Sequence, residues 1–517
     1  MQSMKKNIIL NLTLLLIFII SILVNYSIQK NNFPNTDTNQ NDLFSNLLIS
    51  NKSYKYINNL NLKYSPPIFG IRGLLFFKDG FVPSSLPGMI FLVALFKLVS
   101  PKLLFLLNPL FSVLCLIYVH KIINKYVFSD HIISTLCIVI IYLSGPFLYV
   151  SNTPFKDLPS TTFFIIGLFF LLEAIYKDKK IPYFLFGLFA GISMWFNYPS
   201  VLFYLPFILL LLWDPQKGCL KKIKIKNIII ASIPFSFLFI LLYFFQTKTY
   251  NGFLNFNNPI YNLNHYQLSS SSNGILSFIF KINIKNFITN IINQVFFVNP
   301  ILVSLSIISI LKIFLKKLNK SVDIILKYLF YIVILQCLFF VGKNWSGSGF
   351  VGSVGTSFSR YLLISWIIIV VIGVYYLHNI LKTKIIFYIS IFILLVTNIY
   401  QAFLSDMSIK YFLDTSKWTN TFQTQILKKT ENNAIIFTNM YDKYIYPVRQ
   451  TAIYVSIPET TRTQTSITLI NELLKDNIPV YIMKEKDSES ILYNIQMNDY
   501  GLKYKKITDN LLKIETK

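Results

Sequence analysis

Apolar runs of about 20 residues recur along most of this chain, separated by short polar or lysine-rich stretches. A helix rises about 1.5 Å per residue, so each run can cross the roughly 30 Å hydrocarbon core of a bilayer. Runs of that kind leave backbone groups no partner in lipid except one another, which restricts the chain to a helical membrane architecture. Composition agrees. Only 14% of the 517 residues are Asp, Glu, Lys or Arg and 54% are hydrophobic, against roughly a quarter charged in a soluble domain. The expected fold is a polytopic α-helical membrane protein with a small C-terminal α/β domain.

The formal net charge of +26 could suggest nucleic acid, but its placement excludes that class. Residues 1–404 hold 33 of the 48 Lys and Arg and 9 of the 22 Asp and Glu, leaving 15 and 13 for residues 405–517. The excess sits in short connectors, such as Lys177 to Lys180, Lys217 to Lys226, Lys316 to Lys320, and Lys382 with Lys384. These read as cytoplasmic loops under the positive-inside rule.

The apolar segment from Asn7 to about Gln29 follows a short basic start and lacks a small-residue cleavage site, so it reads as a retained span with its N-terminus inside. Further spans are expected at 102–121, 129–150, 158–176, 181–196, 200–213, 227–246, 296–315, 323–341, 360–379 and 385–404, eleven in all. An odd number puts the C-terminus outside the cytoplasm of a multi-pass cell-membrane protein, and every basic connector then falls inside. The expected division is a transmembrane domain over 1–404, with outer loops at 30–86 and 247–295, and an extracytoplasmic α/β domain over 405–517. Pro87 to Ser100, too short to span, and Phe278 to Gln294 are expected to lie at the interface. Ala434 to Thr438, Val480 to Met483 and Leu511 to Ile514 read as strands, and Ser466 to Lys475 as a helix.

In this topology four carboxylates before residue 405 face outside: Asp37, Asp42, Asp79 and Asp157. Asp37 lies just beyond the first span and precedes a helix-like stretch to Leu48; Asp157 sits at the mouth of the next outward turn. An acid at the apolar boundary is costly unless paired or functional; helix capping is the structural alternative for both. Asp42 and Asp79 read better as solvated surface. Only four of the 48 basic residues are arginine: Arg72, Arg360, Arg449 and Arg462. Where lysine is the default base, arginine marks places that use its planar fork, which grips phosphate or carboxylate. Arg360 is the stronger candidate because it opens a span where a lipid phosphate would sit. Tyr198, His265, Tyr266 and Trp345 could stack on a sugar or anchor the interface. The four histidines are scattered and the cysteines lie in spans or an inner loop, so neither metal-site spacing nor a disulfide framework is expected.

Asp37 after the first span, Gly70-Ile71-Arg72-Gly73, Val82-Pro83-Ser84-Ser85-Leu86-Pro87-Gly88, Lys156-Asp157-Leu158-Pro159, and Ser359-Arg360-Tyr361-Leu362-Leu363 occur in an order that resembles the GT-C membrane glycosyltransferases. The likeness is to the protein O-mannosyltransferase and aminoarabinose transferase superfamily. It implies inverting transfer of a sugar from a polyprenyl-phosphate carrier to a hydroxyl of a protein, lipid or glycan on the outer face, with membrane lipids as surroundings. It implies a first-loop carboxylate as general base, the position of Asp37. The usual acidic pair is here Thr36-Asp37-Thr38, so Asp42 is the alternative base. The candidate site is therefore Asp37 and Asp157 for catalysis, with Arg72, Arg360, Tyr361, Lys156, Asp42, His265 and Tyr198 toward substrate. No cofactor is required outright; a divalent metal is compatible. A transporter or flippase of lipid-linked glycans is the alternative class, and ionisable residues near the bilayer midplane would mark it; Glu173 alone comes close.

Overall fold

The computed structural model describes the chain except residues 1, 30–35, 78–79, 129, 154, 215–218, 221–224, 251–260, 264–282, 316–320, 344–350, 353, 355, 381–383, 405–407, 458–460 and 485–499. Two compact units emerge. One comprises Met1–Lys30, Lys102–Leu242 and Asn273–Leu413; the other comprises Asn31–Pro101, Tyr243–Ser272 and Asp414–Lys517.

The first unit is helical. Among the described residues, six helices are long and apolar enough to cross a membrane, or up to eight if each of two bent pairs counts as one span. The bends lie between His131–Leu143 and Gly145–Ser151, at 69°, and between Ile284–Phe296 and Pro300–Leu315, at 110°. The expected spans at 181–196, 200–213 and 360–379 correspond to shorter apolar helices, Lys180–Phe196, Tyr198–Leu212 and Leu363–Asn379. Pro87–Val99, in the second unit, is also short, as its 13 residues require. The described part of the expected interfacial segment 278–294 forms the helix Ile284–Asn290 and a π turn, Ile291–Phe296.

Burial separates central from peripheral helices. Of the apolar window in Asp157–Lys177, 78% is buried, against 11% in Ile225–Tyr250. The Lys180–Phe196 helix approaches Ile225–Tyr250 through Gly187 and Gly191, four residues apart on one face. A Cβ on Gly187 would stand 1.9 Å from the Ala231 carbonyl oxygen, and one on Gly191 would stand 2.8 Å from Leu238 Cδ1. Small residues at this spacing let two backbones meet in lipid, where packing replaces the hydrophobic effect as the driving force.

The second unit contains a five-stranded sheet in the order 450–453, 435–438, 480–483, 511–516, 502–508. Ile435–Thr438 pairs in parallel with both of its neighbours, and the last two pairings are antiparallel. The helix Arg462–Lys475 buries Ile467, Leu469, Ile470 and Leu473. The expected strands and helix of the C-terminal region are present. Gln450–Ile453, Leu502–Thr508 and the Ile409–Lys429 helix join them. Residues 31–101 share this core: Phe44, Phe69, Ile71 and Leu74 pack in one apolar cluster with Phe437, Ile453, Ile470 and Ile482. The backbone joins them as well, with Gly70 N–H donating to Thr451 O at 3.0 Å and Ile453 N–H to Ile68 O at 2.9 Å. A hairpin of Leu74–Phe77 and Gly80–Pro83 completes this segment.

Candidate functional site

In the first unit, Asp157 opens the Asp157–Lys177 helix and is 5% exposed. The positive end of a helix dipole is a favourable place for a carboxylate. The turn leading to it is tied down from below: Asn25 Nδ2 donates to Ser151 O at 3.1 Å and to Asn152 Oδ1 at 3.0 Å, and Asn108 Nδ2 donates to Thr153 O. Arg360 lies on the short helix Ser357–Tyr361, with Nη1 3.8 Å from Asp157 Oδ2. That separation gives Coulomb attraction but exceeds hydrogen-bond range. The guanidinium carbon stands 4.0 Å over the Phe155 ring and 5.5 Å from the Tyr361 ring centre. Tyr361 in turn stacks on Phe340 at 5.2 Å.

Gln336 pins this arrangement. Its Oε1 accepts from Ser365 N at 2.8 Å and Ser365 Oγ at 2.6 Å, while Nε2 donates to Tyr361 O at 3.3 Å. A cation seated on one aromatic face and set beside a carboxylate is pre-oriented, and Arg suits that role better than Lys because its plane can stack. Phe155 and Gln336 are not singled out by the sequence, although Phe155 immediately precedes the Lys156-Asp157-Leu158-Pro159 motif. Lys343 was also missed. It lies 4.7 Å over the ring of Phe339, the neighbour of Phe340, and burial lowers its ammonium to about 7.

In the second unit, Asp37 occupies the first turn of the Thr36–Asn51 helix and is half-buried. Asp42 lies one turn further on and bonds Lys97 Nζ through Oδ1 at 2.6 Å; the same ammonium reaches Ser45 Oγ at 2.8 Å and Asn46 Oδ1 at 2.7 Å. The Lys97 side chain is 6% exposed, so Asp42 compensates a buried charge. Arg72 is held by Asp442: its N–H donates to Oδ2 at 2.8 Å, Nε donates to Oδ1 at 2.6 Å, and Nη2 donates to Met440 O at 3.0 Å. Lys156 precedes the Asp157 helix and Tyr198 begins the 3₁₀ helix Tyr198–Tyr204, both half-buried. His265, Tyr266, Trp345 and Asp79 lie outside the described residues. Among the described residues, no three His, Cys, Asp or Glu side chains gather as a metal site would require.

Residues 83–243 match the family model described as dolichyl-phosphate-mannose-protein mannosyltransferase. The segment contains Lys156 and Asp157. Over the whole chain, the structure resembles ArnT from Cupriavidus metallidurans in the apo state, with a TM-score of 0.54 and 9% identity, covering 99% of this chain and 98% of that one. The chain has the GT-C fold. Two further GT-C structures are similar, both oligosaccharyltransferases of Archaeoglobus fulgidus. The first is AglB in complex with an inhibitory peptide and a dolichol-phosphate, with a TM-score of 0.52 and 11% identity, covering 91% of this chain and 69% of that one. The second is in complex with Zn and sulfate, with a TM-score of 0.53 and 13% identity, covering 90% and 68%. At these identities the GT-C likeness is one of fold. Compared with curated protein sequences, the chain finds no match.

Proposed function

We propose that this protein is an integral-membrane glycosyltransferase that moves a sugar from a polyprenyl-phosphate carrier to a hydroxyl acceptor on the outer face, with inversion. The observation that carries the reading is the Arg360 guanidinium, stacked on Phe155 and 3.8 Å from Asp157, where Asp157 belongs to the segment matched by the mannosyltransferase family model. The donor's leaving group is already a phosphate, so catalysis needs cations for the departing oxyanion and a base for the nucleophile. Arg360 supplies the cation and Asp157 orients it. The acceptor oxygen attacks the anomeric carbon, the carbon–oxygen bond to phosphate breaks, the polyprenyl phosphate leaves with that electron pair, and Asp37 takes the hydroxyl proton. Asp42 and Arg72, engaged with Lys97 and Asp442, support their own surroundings. The bound dolichol-phosphate of the AglB structure is consistent with a lipid-phosphate donor.

The transporter alternative loses its main feature. Glu173 is paired with Lys125 and Lys177 and accepts from Tyr126 Oη at 2.6 Å, which makes it a neutralised structural acid. Deleting the gene and analysing surface glycans and glycoproteins tests the proposal. The expected result is loss of one glycan with accumulation of its polyprenyl-phosphate sugar. An unchanged glycan profile with unchanged carrier pools counts against transfer.

A further inference from the structure

From Asp414 onward the Ile409–Lys429 helix belongs to the second unit, where it carries two stripes. One is spent on the fold: Ser416, Thr419, Gln423, Ile426 and Thr430, at spacings of three and four, are all at most 8% exposed. The other runs beside it through Trp418, Phe422, Gln425 and Lys429, spaced four, three and four, and faces outward. Trp418 is 45% exposed. One side of its indole is covered by Phe422, stacked at 5.0 Å and 16°, and Tyr444 meets it edge-on at 5.1 Å and 89°. Tyr441 closes the group at 5.5 Å from Tyr444.

The platform is rigid. Gln423 Nε2 donates to Tyr444 O and Tyr446 O, each at 3.0 Å, which locks the tyrosine-bearing turn to the helix. Polar groups rim it, with Lys443 Nζ 4.8 Å over the Tyr444 ring. From Phe422 onward the stripe enters a cleft in which Gln425 and Lys429 face Thr508 and Asn510 of the sheet's last hairpin. The stripe therefore passes from exposed rings to hydrogen-bonding side chains over about 16 Å of helix, the length of a short oligosaccharide. Ligand sites combine rigid aromatic faces with a few placed polar groups, and an uncharged polyhydroxylated chain with apolar ring faces matches both halves.

We propose that the Trp418 platform and the adjoining Gln425–Lys429 edge form a glycan-binding surface, with a sugar ring stacked on Trp418 and the hydroxyls of the next sugar hydrogen-bonded to Gln425 and Lys429 at the mouth of the cleft. This deepens the transferase reading, resting on it for the sense of the bound glycan as acceptor or growing product. Binding is measured without turnover, so failure of glycan binding and failure of the transferase reading are separable.

The test is calorimetric titration of the full-length protein in nanodiscs with mannotriose, cellotriose and chitotriose. At least one trisaccharide should bind. Trp418→Ala and Gln425→Ala should each weaken it about tenfold, the size of one stacking or hydrogen-bonding contact, and Trp418→Phe should retain most of the affinity. Absence of binding to all three, or equal affinity in wild type and Trp418→Ala, overturns the proposal. Nanodiscs with brominated lipids supply a second readout from the emission difference between wild type and Trp418→Phe. Quenching of that difference by the lipid, with no response to sugar, would assign the platform to the bilayer surface and overturn the proposal.

Discussion

Arg72 and Asp442, 370 positions apart, are joined by two hydrogen bonds, from the Arg72 backbone N–H and from its Nε, to the two oxygens of one fully buried carboxylate. The pair ties the Gly70-Ile71-Arg72-Gly73 turn to the sheet-bearing segment, with Met440 O taking a third bond. Removing one member of a buried pair strands the other and typically costs about 3–5 kcal/mol. Asp442→Ala should therefore lower the thermal midpoint of the detergent-solubilised protein, and Arg72→Lys should do so less. Wild-type stability in Asp442→Ala would show that the pair is dispensable.

Arg360→Ala removes both the charge and the stacked plane over Phe155, whereas Arg360→Lys keeps only the charge. Donor affinity and turnover should fall in the order wild type, lysine, alanine, with Phe155→Leu resembling the lysine variant because the seat is lost and the cation kept. Equal donor affinity in wild type and Arg360→Ala would take Arg360 out of the site.

Asp37→Asn keeps size and polarity and removes the proton acceptor, so turnover should drop about 10²- to 10⁴-fold with folding and donor affinity preserved. Asp42→Asn makes a contrasting control, since it weakens the compensation of Lys97, 6% exposed, and should act on stability more than on turnover. Reversed outcomes for the two variants would move the base to Asp42.

Glu431 gives a pH dependence whose sign follows from its partners. Burial raises its carboxyl, but hydrogen bonds from Lys513 and Tyr481 outweigh that and hold it down at about 2, below its ordinary 4.5. A lowered carboxyl stabilises the fold fully above about pH 4.5 and loses that contribution as pH falls toward 2. Glu431→Gln should lower the stability of the sheet-bearing unit at neutral pH and flatten its acid dependence in that window. An acid unfolding profile identical to wild type would refute the assignment.

The membrane-embedded helices and the apolar strands near residues 435 and 480 were legible because local periodicity and run length dictate them. The acids and arginines stand out as candidates because charge is scarce in such a chain. The number of spans was harder to read. Helices such as Lys180–Phe196 and Leu363–Asn379 fall below the length at which composition alone marks a crossing, and two others are broken by bends of 69° and 110°.

What the sequence by itself determined was a solvent: runs of apolar residues demand lipid, and lipid demands helices. Only the tertiary structure decided that residues 31–101 share a hydrophobic core with residues 414–517, that Arg72 serves Asp442, and that Arg360 rests on Phe155 beside Asp157. These pairings join residues hundreds of positions apart, and no local pattern encodes them. They arise from shape, from the need to neutralise each buried charge, and from the need to give every buried polar group a partner.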